Sequence, residues 1–336
     1  MKEEIGSEFW DIPTCKKRNC LFDNATFFSS GRGAFRAILK DIKEKIGKDV
    51  NLKFAIPSYL CESMIDPLKK EGIEYEFYSV DFENGKFVFD YSCTNTCNAI
   101  LLVSYFGYDS FSECFKTQHK IIVRDVTHSI FSREYDDADY YFGSLRKWAG
   151  FKNGGFAYKK NGSINECGKR LLKYSSLRNE AMKLKEEYIN GYNSNKNYLD
   201  VFENAEILLK PCEVAGCISS DIDNALFLDI DFIRESRRKN AIILIEGLKK
   251  YCVFKQLGTN DCPLFVPIIF KDRDGLRKYL ISKRIYCPIH WPKPEEQGIM
   301  SETLYKEELS LICDQRYDAS DMNRIVCEVL KFIEGI

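Results

Sequence analysis

Apolar and polar positions change period repeatedly along this chain, and the changes predict alternating strands and helices. After residue 31 the apolar side chains Phe35, Ile38, Leu39, Ile42 and Ile46 recur at helical spacing, so one face of a helix is buried there. Gly47 and Asn51 bracket its end. Residues 53–56 read as a strand stopped by Pro57, residues 59–71 as a helix ended by Gly72, and residues 74–80 as another strand. The continuous apolar run at 99–104 predicts a central parallel strand covered on both faces. A helix around 111–115 leads to a β-branched run ending at Asp125. A third apolar strand, at 140–142, breaks into a turn and resumes after Gly154 and Gly155. This alternation predicts an α/β architecture, a large and mostly parallel sheet wound with helices on both sides.

Residues 164–210 are long, charged and helical, with Asn-rich punctuation at 190–195. Beyond them the pattern predicts a helix at 231–251, a strand at 264–270, a helix at 274–283, an apolar segment at 309–317 and a last helix at 319–333. The expected division is therefore an N-terminal arm and large α/β domain over 1–205 and a smaller α+β domain over 206–336. A length of 336 residues suits two such domains.

Composition narrows the class. Lysine and arginine total 49 against 50 acidic residues, so no basic surplus points to nucleic acid or an anionic membrane. No apolar run approaches the roughly 20 residues of a membrane span, and the opening Met1–Lys2–Glu3–Glu4–Ile5 lacks the core of a signal peptide. The 14 cysteines are scattered without a Cys-x-x-Cys pair, beside only three histidines. That usage argues for reduced thiols rather than a zinc site or a disulfide scaffold. The expectation is a soluble cytoplasmic protein that holds no metal.

The candidate chemistry lies at strand ends, where ligands of such sheets collect. Lys147 falls in the turn after the aromatic strand. A lysine there is expected either to meet an anion or to lose its charge by desolvation and become an amine nucleophile. Asp125 ends its own strand, Thr127 shares its face, and His128 follows three residues after it. Upstream, Ser29–Ser30–Gly31–Arg32–Gly33–Ala34 opens the first helix with small residues, whose free N–H groups suit a phosphate. Each piece has a plainer reading, as a solvated lysine, a capping carboxylate or a core histidine; their order along the chain is what joins them. Ser144 and Lys147 also form the Ser-x-x-Lys of serine acylases, but that motif belongs at a helix start rather than after a strand.

Phosphate cradle, strand-end aspartate and turn lysine, in that order, resemble the fold-type-I pyridoxal phosphate (PLP) enzymes, and within them the DegT-type sugar aminotransferases. The Pro57–Ser58–Tyr59 turn, Ser104–Tyr105–Phe106–Gly107, Asp125 to His128, Lys147 with Gly154–Gly155, Pro288–Ile289–His290–Trp291–Pro292 and Asp314–Gln315–Arg316–Tyr317 carry the likeness over nearly the whole chain. The resemblance implies PLP as cofactor, with Lys147 forming the internal aldimine and Asp125 against the pyridine nitrogen. Gly31, Arg32, Gly33 and Ser144 would hold the phosphate, Thr127 would cover one ring face and His128 would contact the phenolic oxygen. The family's covering aromatic aligns with Cys61, which leaves Tyr59 as its substitute.

The Phe9–Trp10 arm either packs its aromatics on the body or, as the resemblance implies, helps to cover the cleft. His290 and Trp291 are either a rigid turn or part of the substrate wall, and Arg316 is either a surface ion pair or a carboxylate clamp. The implied activity is transfer of an amino group from an amino acid, glutamate by family default, to a keto acceptor such as a keto-sugar nucleotide, in a homodimer with shared sites. A PLP-dependent lyase or aldolase and a non-catalytic PLP-binding regulatory protein are the alternatives. Two departures, a lysine three rather than five residues after its serine and a short chain, bear on the nucleotide-sugar substrate more than on the cofactor.

Overall fold

The computed structural model describes residues 4–47, 51–108, 120–132, 135–296 and 301–335. An eight-stranded sheet runs in the order β2 (Thr26–Phe28), β9 (Gly155–Lys159), β8 (Tyr140–Ser144), β7 (Ile121–Asp125), β6 (Ala99–Val103), β3 (Lys53–Pro57), β4 (Glu74–Glu83) and β5 (Lys86–Asp90). Strands β4, β3, β6, β7 and β8 are parallel neighbours, while β5 and β9 run against theirs and β2 pairs antiparallel with β9. The central strands are buried almost throughout, as their unbroken apolar runs require of a sheet covered on both faces.

On one face lies α1 (Gly31–Ile46), which buries Phe35, Ile38, Leu39 and Ile42. Phe35 stacks on Phe142 of β8 at 4.7 Å. Each such side chain contributes about 1.5–3 kcal/mol by leaving water. The other face shares a continuous core with the C-terminal third. There β10 (Phe265–Ile269) and β12 (Glu308–Ile312) form an antiparallel pair. It packs with α6 (Ile230–Leu248), α7 (Arg273–Ser282) and α8 (Glu302–Glu307), and α9 (Ala319–Glu334) lies against α6 and α7.

Between the two parts stand the packed helices α3 (Leu172–Ile189) and α4 (Tyr198–Ile207). Residue 205, the expected division, falls inside α4. The chain then touches the large sheet again, where Gly216 bridges Phe28, before α5 (Ser219–Leu226). The N-terminal arm crosses to the smaller part, pairing β1 (Ile5–Gly6) in parallel with β11 (Ile285–Tyr286). No described helix is long and apolar enough to cross a membrane. The described cysteines are all free thiols.

Two stretches differ from the expected pattern. β4 runs on to Glu83 and returns as β5 through Asn84 and Gly85, both at positive φ (50° and 79°). An Asn-Gly pair between alternating apolar residues is a hairpin signal of the primed-turn type, so this strand was legible in the sequence. The helix expected over 59–71 is instead a 3-10 turn, Glu62–Met64, followed by the short α2 (Ile65–Lys70). The Leu60 N–H donates to the Tyr305 hydroxyl at 3.0 Å, and that hydroxyl also lies within 3.1 Å of the Ser58 and Leu60 carbonyls. A distant tyrosine thus holds the backbone groups that a helix starting at Tyr59 would need. The helix expected around 111–115 lies outside the described residues.

Candidate active site

The lysine turn is held on three sides. β8 ends at Ser144, and a 3-10 turn, Leu145–Lys147, follows. The Leu145 N–H donates to the Gly154 carbonyl (2.8 Å) and the Trp148 N–H to the Leu145 carbonyl (2.9 Å). The Trp148 indole N–H donates to the Thr127 carbonyl at 2.8 Å, tying this turn to the one that follows Asp125. Glycine is required at 155, because a Cβ there would stand 2.1 Å from the Ser30 carbonyl oxygen. That close approach sets the N-terminus of α1 beside β8, and a Cβ on Gly31 would lie 3.4 Å from that of Ser144.

The result is a cavity of about 210 Å³ whose wall includes Ser30, Gly31, Arg32, Asp125, Thr127, His128, Ser144 and Lys147. Asp125 is 8% exposed and accepts a 2.8 Å hydrogen bond from the Thr127 N–H. Burial pushes its carboxyl up to about 6, with only Thr127 opposing. Burial, reinforced by the Lys147 charge, brings His128 down to about 3, so its ring is neutral. Its Nδ1 is buried without a partner among the described residues. The indole of Trp291 stacks on the same ring, centroids 5.2 Å apart at 26°.

At the start of α1 the Ser30 hydroxyl accepts the Gly33 N–H at 3.1 Å, so that N–H is engaged in capping. The N–H groups of Gly31 and Arg32 have no carbonyl within their own helix to donate to. They are the donors left to an anion, whereas the expectation had included Gly33 beside them. Lys147 itself is exposed to the cleft, with no hydrogen bond or ion pair among the described residues. It is not sealed away from solvent, and its charge is near enough to help hold the Glu8 carboxyl ionised.

A second cavity, about 420 Å³, meets the first at Glu8, Arg146 and Lys147. The arm and the smaller part of the molecule form its wall. Burial opposes ionisation of Glu8, but Arg178, Arg146, Lys147 and Lys185 together outweigh it and bring the carboxyl down to about 2. Arg316 is buried rather than on the surface. It grips Asp314 through two bonds of 2.9 and 2.8 Å and the Glu8 and Ser7 carbonyls at 3.1 Å, and it lies 3.9 Å over the Phe9 ring. Two of these four bonds hold the arm and two hold Asp314, although the residue also lines the larger cavity.

His290 lines that cavity, whereas Trp291 lines the smaller one. Tyr59 lines neither. Its hydroxyl donates to the His290 carbonyl and its ring packs among Tyr105, Trp291 and Tyr305. Cys61 and Trp291, not Tyr59, stand at the wall on that side. Glu8 and Arg146 were not foreseen. Glu8 was passed over inside an arm noticed for its aromatics, and Arg146 beside the more conspicuous lysine.

Neither a protein-family model nor a curated protein sequence matches the chain. Solved structures do. Helicobacter pylori PseC, an aminotransferase involved in the biosynthesis of pseudoaminic acid, is similar over 98% of this chain and 100% of its own, with a TM-score of 0.65 at 15% identity. A DegT DnrJ EryC1 StrS aminotransferase from Brucella abortus is similar over 92% and 85%, with a TM-score of 0.60 at 17% identity. DesV of S. venezuelae is similar over 92% and 84%, with a TM-score of 0.61 at 13% identity. At such identities the likeness is one of fold. The chain therefore has the fold-type-I α/β architecture of the DegT-type aminotransferases.

Proposed function

We propose that this protein is a PLP-dependent aminotransferase and that Lys147 is the amine through which it holds its cofactor. The observation that carries the reading is the place of Lys147, at the junction of a small cavity that includes the start of α1 and a larger one. The small cavity fits the cofactor. Among the described residues it offers a buried carboxylate with no cation beside it, a buried imidazole nitrogen without a partner, and free N–H groups next to a serine hydroxyl. Those suit, in turn, a pyridinium nitrogen, a phenolic oxygen and a phosphate.

When bound, PLP supplies an aldehyde that condenses with amines and a ring that accepts negative charge from the adjacent carbon. The chain's own groups do the rest. Asp125, costly to ionise alone, is stabilised as a carboxylate beside a cationic nitrogen and in return keeps that nitrogen protonated. Thr127 fixes the carboxylate through its N–H. Neutral His128 offers Nδ1 to a phenolic oxygen, and Trp291 holds the imidazole from the opposite side. The Gly31 and Arg32 N–H groups with Ser144 anchor a phosphate. Lys147 Nζ would be the amine that holds the aldehyde carbon and, when free, the base that moves the donor's α-proton to the carbon beyond the nitrogen.

The donor in this reading is an amino acid, glutamate by family resemblance. The acceptor is a keto sugar carried on a nucleotide. A cavity of about 420 Å³ has room for a sugar ring, and the PseC neighbour works in the biosynthesis of a sugar acid. A homodimer with shared sites belongs to the same proposal, on the strength of the resemblance. The test is to load the purified protein with PLP, reduce it with borohydride and map the modified peptide. The label is expected on Lys147. Glutamate should change the absorbance of the bound cofactor and release 2-oxoglutarate. Lys147→Ala should lose the label and about 10²–10⁴-fold or more of turnover; a normal rate in that variant would overturn the assignment.

A further inference from the structure

Behind the wall of the larger cavity lies a chain of hydrogen bonds that the reading above leaves unused. Glu308 is fully buried at the start of β12, and Ser310 lies two residues on, on the same face of the strand. The Ser310 hydroxyl is 2.5 Å from Glu308 Oε1 and 2.8 Å from His290 Nδ1. The other carboxyl oxygen, Oε2, accepts the His290 N–H at 2.8 Å, and Tyr59 donates to the His290 carbonyl. The imidazole is thus fixed at its backbone and at one nitrogen. His290 is one of the residues that line the cavity, and with Nδ1 engaged Nε2 is the ring nitrogen left to a ligand there.

We propose that Glu308, Ser310 and His290 form a proton relay that opens on the substrate side of the site, with His290 Nε2 the atom that exchanges a proton with a bound oxygen. The substrate class rests on the aminotransferase reading; the relay itself rests on the hydrogen bonds and on the complete burial of Glu308. In the resting state Glu308 is a carboxylic acid donating to Ser310 Oγ, Ser310 donates to His290 Nδ1, and Nε2 carries the ring proton. When Nε2 gives its proton to an oxygen in the cavity, Nδ1 takes the proton of Ser310, and Ser310 takes that of Glu308. The net change is one proton moved from Glu308 to the ligand. Glu308 is left as a carboxylate, His290 as the other neutral tautomer, and no imidazolium forms. Return of the proton reverses each bond.

The surroundings favour this sequence. Burial pushes Glu308 up to about 8, against its Ser310 and His290 hydrogen bonds and the Arg273 charge, so it holds its proton at neutral pH. Burial brings His290 well below its ordinary value, reinforced by His128 and Lys147, so a route through imidazolium is closed. Among the described residues the titratable groups facing this relay are Arg273, Tyr59 and Cys287 around Glu308, and His128 and Lys147 around His290.

Nitrogen NMR of histidine-labelled protein, without cofactor, tests the relay directly. Only three histidines are present, and His290→Gln identifies the resonances of interest. His290 should be the Nε2–H tautomer near pH 6.5 and pass to the Nδ1–H tautomer as the pH rises through about 8. Glu308→Gln should hold it as Nε2–H at every pH, Ser310→Ala should uncouple it, and Ser310→Thr should restore the switch. A His290 tautomer indifferent to pH in the unaltered protein, or an imidazolium at pH 6.5, overturns the proposal. In the loaded enzyme, Glu308→Gln should lower kcat and remove its alkaline limb with little change in KM. Loss of the NMR switch sinks the relay alone, whereas absence of a Lys147 label sinks the aminotransferase reading and leaves the relay standing.

Discussion

At position 125 a buried carboxylate ends its strand with Thr127 as its hydrogen-bond donor and no cation beside it among the described residues. Its sign of linkage follows. The folded value of about 6 lies above the ordinary 3.8, so the cofactor-free protein binds more protons folded than unfolded in that interval. Stability contributed by this group is full below about pH 4 and is lost as the pH rises through about 6. The difference is worth roughly 3 kcal/mol. Asp125→Asn should therefore raise the Tm of the cofactor-free protein at pH 8 and flatten its pH dependence between 4 and 6, while weakening PLP binding. Thermal scans against pH with and without PLP check both halves, and equal Tm values for the two proteins at pH 8 would contradict the account. The carboxylate was legible in the sequence because an apolar run ended on it. Its missing partner was not, since only packing shows which charges come within reach.

Among the elements, the arm shows most clearly what pattern alone misses. β1 is two residues long and offers no periodicity, yet it pairs with β11 and brings Glu8 to the lysine. The pairing depends on Gly6, which has φ +98° and no room for a side chain: a Cβ would stand 2.4 Å from the Tyr286 carbonyl oxygen. Gly6→Ala is expected to cost about 1–3 kcal/mol and to part the two strands. Faster proteolysis within the first ten residues, together with reduced turnover, is the readout; an arm as resistant as before would argue against the pairing. By contrast, α1, β6 and β7 could be read directly, because a helix buried on one face and a strand buried on both leave unmistakable periods. The Asn84–Gly85 hairpin carried a turn signal that the reading of a strand over 74–80 passed over.

At the scale of the molecule, Trp148 joins the two parts across the lysine turn. Its indole reaches Thr127, its carbonyl accepts from Gln315 Nε2 at 2.6 Å, and the buried Arg237 guanidinium lies 4.6 Å over its ring. Arg237 in turn donates to Gln315 Oε1 (2.9 Å) and to the Leu264 carbonyl (2.8 Å). An ammonium cannot serve those partners and stack at once. Arg237→Lys should cost about 2–4 kcal/mol, in the range for a broken buried network, and speed amide exchange over residues 145–155. Unchanged exchange there would mean that the lysine turn holds itself. Arg237 carries no sequence signal, and Gln315 showed only as part of the Asp314–Tyr317 stretch, because they meet Trp148 from 89 and 167 positions away.

By itself the sequence determined the sheet, the order of cradle, aspartate and lysine, and the strand ends on which they sit. Each is set by local periodicity, turn chemistry and spacing along one stretch of chain. Only the tertiary structure decided that Tyr59 turns toward Tyr305, that Trp291 covers His128, and that Arg316 holds the arm. It alone also joined Glu308 to His290 through Ser310. Those contacts link segments far apart in the chain, and which polar group meets which in a buried site depends on how the elements pack.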